Sequence, residues 1–150
     1  AVRAAGTLEA SAAAGALEEV LDDPEREVRI AAARTLGSLS YRPAAPRFRE
    51  ILEGKEIRRA DVSEMIAFFE SYGLLGDPEA VELLDGLLNG TIFFGRRESE
   101  DIRACAALGL GKLGGAEARR RLEDARSQDS PVVRSAVGRA LKEVGGDDER

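Results

Sequence analysis

Val28-Arg29-Ile30-Ala31-Ala32-Ala33-Arg34-Thr35-Leu36 decides the fold, because its pattern occurs again. It aligns without gaps with Ile102-Arg103-Ala104-Cys105-Ala106-Ala107-Leu108-Gly109-Leu110 and with Val133-Arg134-Ser135-Ala136-Val137-Gly138-Arg139-Ala140-Leu141. Apolar residues fall at offsets 0, 3, 4 and 8, with a further one at offset 11: Leu39, Leu113 and Val144. That spacing marks one face of an α-helix. The small residues at offset 3 predict close approach between helices of neighbouring repeats.

Working outward, Leu36-Gly37-Ser38-Leu39, Tyr72-Gly73-Leu74-Leu75 and Leu110-Gly111-Lys112-Leu113 form a second aligned marker. Each is expected to precede a short turn and then a helix carrying Phe48, Leu84 or Leu122. Gly6-Thr7-Leu8 and Leu17 match Gly37-Ser38-Leu39 and Phe48 at a shift of 31. Asp23-Pro24 and Ser130-Pro131 supply helix starts, an N-cap acceptor followed by Pro at the first helical position. The predicted elements are a partial helix at 1–9 and four helix pairs: 12–22 with 25–40, 44–54 with 57–75, 78–89 with 98–113, and 115–127 with 131–144. Gly145-Gly146 reads as a helix stop before a frayed polar tail. No segment alternates as a strand. Single pairs are too small to bury their own apolar faces, so stacked neighbours must complete the core.

The Val-Arg-x-Ala-Ala pattern, the Leu-Gly-x-Leu marker and the shift near 31 resemble bacterial HEAT repeats of the phycobilisome-lyase type. The resemblance covers nearly the whole chain. It implies an all-α fold, a right-handed α-solenoid of about four helix pairs plus a partial N-terminal helix, in one domain over residues 1–150. The repeats fall at approximately 12–40, 44–75, 78–113 and 115–144. Repeat two departs from the pattern: Glu64-Met65 stands where Val-Arg is expected, and Phe68 and Tyr72 replace Ala and Leu. Lacking an initiator Met and opening inside a helical pattern, the chain reads as a piece of a longer protein.

Composition narrows the chemistry. The 150 residues contain no His and one Cys, with 22 basic and 28 acidic side chains for a net charge of -6. One Cys cannot form a disulfide within the chain, and without His there is no His-ligated metal site or His-dependent acid–base catalysis. Cys105 sits in an apolar run and reads as a small buried side chain rather than a nucleophile. Adjacent carboxylates such as Glu18-Glu19 cannot both face one cleft, and nothing supplies a base beside Ser or Cys. No catalytic, cofactor-binding or metal-binding residue is assigned, and no cofactor is expected. HEAT-like hydroxylases hold metal through His-Glu pairs, which are absent here. Net acidity opposes nucleic acid as a partner, including the basic concave face of HEAT-like DNA glycosylases. No apolar stretch is long enough to span a membrane, and a cytoplasmic location is the default.

Arg29, Arg103 and Arg134 recur with the repeat. They read as ties to an acidic side chain or helix end in the same or adjacent repeat, with Asp23 and Asp129 just upstream; the rival reading is an anion-binding ladder. Comparing spacings, repeats two and three carry roughly five and seven extra residues between first and second helix, in loops that project from one edge. The third loop reads Asn89-Gly90-Thr91-Ile92-Phe93-Phe94-Gly95-Arg96-Arg97-Glu98. Its apolar tip either folds back onto the core or is presented to a partner.

In HEAT arrays the second helices line the inner face. The pattern places Ile30, Arg34, Ile66, Glu70, Leu108 and Arg139 there, with Phe69 as a further candidate. The expected function is a non-enzymatic protein-interaction or scaffolding module. Its candidate contact residues are Ile66, Phe69, Glu70 and Leu108 on the inner face and Phe93, Phe94, Arg96 and Arg97 on the loop. Two alternatives stay open: a lyase-like chaperone for a chromophore or small ligand, with an apolar pocket between repeats, and nucleic-acid binding through Arg96, Arg97 and Arg119 to Arg121.

Overall fold

Each of the three matched segments becomes the second helix of a pair. The computed structural model describes residues 2–91 and 93–148, without the side chains of residues 2–5, 93, 147 and 148. Among them, eight α-helices follow in order: α1 (Val2–Glu19), α2 (Arg26–Ser38), α3 (Ala45–Glu53), α4 (Val62–Leu75), α5 (Ala80–Asn89), α6 (Glu100–Leu113), α7 (Gly115–Asp124) and α8 (Pro131–Asp148). No strand forms among the described residues. Each first helix packs on the second helix of its own pair, and the second helices α2, α4, α6 and α8 stack in chain order. This is a HEAT-like helical solenoid of four pairs.

Three boundaries differ from expectation. The partial helix at 1–9 and the helix at 12–22 are one continuous α1, because Gly6 and Gly15 weaken a helix without forbidding it. Residues 57–59 form a separate 3-10 turn, and α4 starts only at Val62, where the Asp61 side chain accepts the Glu64 amide at 3.0 Å. Gly145-Gly146 do not stop α8, which runs on to Asp148. Of the two start signals, Ser130 accepts the Val133 amide at 3.4 Å, as a cap should. Asp23 instead accepts the Glu25 amide at 2.8 Å in a turn ahead of α2, whose N-cap is Glu25.

The glycine of the Leu-Gly-x-Leu marker lies inside each of α2, α4 and α6, ahead of the turn, as the expected helix ranges have it. A Cβ on Gly37 would come within 2.8 Å of Ser71, on Gly73 within 2.2 Å of the Gly109 carbonyl oxygen, and on Gly111 within 2.9 Å of Ala140. At each junction, then, the absent side chain lets the next second helix lie against the backbone. Repeat two fills its wider interior with Phe48, Phe68, Phe69 and Tyr72, all among the largest fully buried side chains. The Phe48 and Phe68 rings pack at 5.7 Å between centroids. Burying each of these rings contributes on the order of 2 kcal/mol. The Tyr72 hydroxyl donates to Asp77 Oδ2 at 2.7 Å, so its polar end is satisfied.

The recurring arginines tie the stack together. Arg29 Nη1 donates to the carbonyls of Asp23 at 2.8 Å and Pro24 at 3.1 Å, while Nε and Nη2 grip the Glu64 carboxylate of the next repeat at 2.6 and 3.0 Å. Arg134 Nη1 repeats the first half of this arrangement on the carbonyls of Gln128 and Asp129, at 2.7 and 3.0 Å. Arg103 reaches forward to Gln128 Oε1 at 2.9 Å and Asp129 Oδ1 at 3.1 Å. Glu64, standing where the pattern wants an apolar residue, is the acceptor that Arg29 needs.

Candidate functional site

Stacking α4, α6 and α8 leaves a groove of about 430 Å³ across their exposed faces. Val62 and Ile66 of α4 form one wall, Ala104, Cys105 and Leu108 of α6 the floor, and Pro131, Val132 and Ala136 of α8 the other wall. Val62 and Val132 are both about half exposed. Asp101 and Arg139 line the same groove, and neither has an ion-pair partner among the described residues. Burial, with the nearby Asp101 and Glu70 carboxylates adding to it, pushes the Cys105 thiol up to about 12, so it lines the groove as a neutral thiol.

The sequence-predicted residues divide. Ile66 and Leu108 meet in the groove, together with Arg139. Phe69 does not: at 0% exposure it belongs to the core rather than to the solvent-facing side of α4. Glu70 lies beside the groove in a charged ribbon, 3.3 Å from Arg34 and 3.6 Å from Lys112. Lys112 also donates to Glu143 at 2.5 Å, a bond that raises the lysine pKa. The groove extends onto α8 of repeat four, beyond the second and third repeats where contact was expected. Val62, Pro131 and Val132, at the starts of their helices, were missed; they lie just ahead of the helical pattern used to map the face.

The two longer loops share one edge. Arg58, in the second, donates to the Gly54 carbonyl at 2.5 Å and grips Glu98 of the third through Nη2 at 2.6 Å and Nε at 3.1 Å. Arg97 is held too, donating to Gln128 Oε1 at 2.6 Å. Beyond these anchors Phe94 is 100% exposed, in the left-handed region at φ 61° and ψ 34°. It does not fold back on the core. Arg96 is also exposed. Ile92 and the Phe93 side chain lie outside the described residues.

Two further clefts lie between first helices and loops. One, of about 870 Å³ between repeats one and two, mixes Leu21, Ile51, Ile57 and Phe68 with Arg47, Glu50 and Arg59. The other, of about 330 Å³, is polar, with Asp85, Arg97, Arg121 and Asp124 in its lining. Arg121 is paired with Asp85 at 2.5 Å and with Glu117 at 3.0 Å, so the Arg119 to Arg121 run is not a free basic patch. Among the described residues, no cluster of three or more His, Cys, Asp or Glu could hold a metal ion, and no helix is long and apolar enough to cross a membrane.

Comparison with known proteins agrees with this architecture. Residues 1–67 match the family described as HEAT repeats, a segment that takes in α1, α2, α3 and the start of α4. The match supports a HEAT-repeat protein, a class that generally serves protein–protein interaction or scaffolding. No curated protein matches the chain.

Proposed function

We propose that the chain is a non-enzymatic protein-interaction module that receives a partner segment in the groove across α4, α6 and α8. The observation that carries this reading is the groove's composition: an apolar floor and walls, with one unpaired acid and one unpaired base on its lining. Such a surface suits an amphipathic segment with two or three aliphatic side chains, an acidic group for Arg139 and a basic group for Asp101. Phe94 and Arg96 form a secondary contact at the loop edge.

The test uses Val62→Asp with Val132→Asp, both at half-exposed sites. Affinity capture by the unaltered chain is expected to retain a protein in stoichiometric amount, and the double variant to lose it with unchanged melting temperature. Retention by the double variant would remove the groove from the function. A second reading, an accessory that holds a small ligand, rests on the cleft between repeats one and two. It requires a ligand-dependent rise in melting temperature that Phe68→Ala abolishes.

A further inference from the structure

The groove across α4, α6 and α8 has a direction as well as a composition. Its three helices run parallel. At their starts Arg103 of α6 reaches Gln128 and Asp129 just ahead of α8, and toward their ends Gly73 lies against Gly109 and Gly111 against Ala140. Val62, Asp101, Pro131 and Val132, each within the first two residues of its helix, therefore line one end of the groove. Leu108 and Arg139 line the other. Asp101 and Arg139 are the two charged residues of the lining, one at each end. With Gly111 beside Ala140, Arg139 stands level with Leu110, about nine residues and so about 13 Å along from Asp101. The neighbouring acids Glu70 and Glu143 are engaged by Arg34 and Lys112, which leaves Arg139 free.

Whatever lies on this surface must satisfy its own backbone. The amides at the three helix starts are capped from within, by Asp61, Ser99 and Ser130. The floor belongs to the body of α6, whose backbone groups pair along the helix. An extended segment would press unpaired amides and carbonyls against apolar side chains, whereas an α-helix pairs its own. The walls stand on α4 and α8, two interhelical spacings or about 16–20 Å apart. A helix about 10 Å across fits between them, over α6.

We propose that the groove takes an amphipathic α-helix of a protein partner, running antiparallel to α4, α6 and α8. An acidic residue near its N-terminus meets Arg139, and a basic residue near its C-terminus meets Asp101. This rests on the reading of the groove as the contact site. Antiparallel packing sets the negative C-terminal end of the occupant over three positive helix starts. The same orientation places its acid and its base at the ends where each stabilises a helix. A parallel helix reverses all of these relationships. On one helix face the matching pattern is an acid at i, aliphatic residues at i+3 and i+4, and a base at i+7. That span is about 10 Å, and the long Arg139 side chain covers the remainder.

The probe is a fluorescein-labelled, end-capped peptide with Glu, Leu, Leu and Lys at i, i+3, i+4 and i+7 in an alanine–glutamine background. It is titrated with the full chain and followed by fluorescence anisotropy at low salt. Exchanging its Glu and Lys is expected to weaken binding by about tenfold or more. Arg139→Asp alone, at an exposed position, is expected to weaken the first peptide about tenfold. Arg139→Asp with Asp101→Arg is expected to reverse the preference without changing the melting temperature, since neither residue gives up an ion pair. Proline at i+5 of the peptide, on its outward side, is expected to abolish binding. Equal affinity for the two charge patterns, undiminished binding of the proline peptide, or no binding of either pattern would each overturn the antiparallel helix. Val62→Asp with Val132→Asp separates this failure from that of the groove. Equal binding that this double variant loses leaves the groove as the contact, whereas binding that survives in it removes the groove as well.

Discussion

A Cβ added to Gly73 of α4 would lie 2.2 Å from the carbonyl oxygen of Gly109 on α6. That oxygen is backbone and cannot swing aside, so Gly73→Ala must push two stacked helices apart. A loss of about 3 kcal/mol or more is expected by denaturant titration, the upper range for overpacking. Gly86 in α5 has nothing within 4 Å of its notional Cβ. Gly86→Ala is therefore expected to stabilise by about 0.5–1 kcal/mol through helix propensity. Similar effects at the two positions would contradict the close approach of α4 and α6.

The Arg29–Glu64 pair crosses from the first repeat to the second and is mostly buried, with side-chain exposures of 25% and 10%. Removing either partner strands the other. Arg29→Ala or Glu64→Ala should each cost about 2 kcal/mol, the range for hydrogen bonds to charged groups. In a double-mutant cycle the two losses should fall well short of additive, with a coupling of about 1 kcal/mol or more. Additive losses would mean that the contact adds nothing between the repeats.

Cys105 sets a test by pH. Its folded-state value is pushed up to about 12 from 9.0, because burial disfavours the thiolate. Below pH 9 the folded and unfolded states both hold the proton, and this group adds no pH dependence. From pH 9 to 12 the unfolded chain ionises while the folded one does not, so stability falls as pH rises. Cys105→Ala should flatten that part of the curve, leaving the share due to Tyr72, whose hydroxyl is raised by burial and by Asp77. Thiol-reactive dye should label the native protein slowly at pH 8; rapid labelling would contradict the buried placement. At the acid end, Arg103 holds the Asp129 carboxyl below its usual value. That contribution is lost as pH falls through the carboxylate range, and it is small at so exposed a residue.

Phe94 has no packing to lose and an unfavourable backbone to relieve. Phe94→Gly is expected to leave stability unchanged or to raise it by up to about 1 kcal/mol. A fall of about 2 kcal/mol or more in thermal or chemical unfolding would place the ring back against the core.

Much of this architecture was legible because repetition supplies its own controls. The offsets from Val28, Ile102 and Val133 identified the second helices, and the arginine after each start pointed to the ties that Arg29 and Arg134 make to upstream carbonyls. The marker glycines were visible near the ends of the second helices, but not their role at the junctions, since a sequence does not show which neighbour a helix face will meet. Phe69 was misplaced for the same reason, one step around the helix from Ile66 and Glu70. In the loop, an aromatic pair between glycines favoured a folded-back tip, since exposed large apolar residues invite aggregation, and the fully exposed Phe94 overturns that reading. The continuous α1 was hidden because glycine lowers helix stability without setting a boundary.

The grip of Arg58 on Glu98 couples the two insertions mechanically. Each loop alone is a surface feature of the kind that drifts freely in length. Joined through one guanidinium that also fastens the Gly54 carbonyl, neither can shorten or shift without stripping the other of its anchor. An engineer regrafting the third loop will therefore need to carry the second with it.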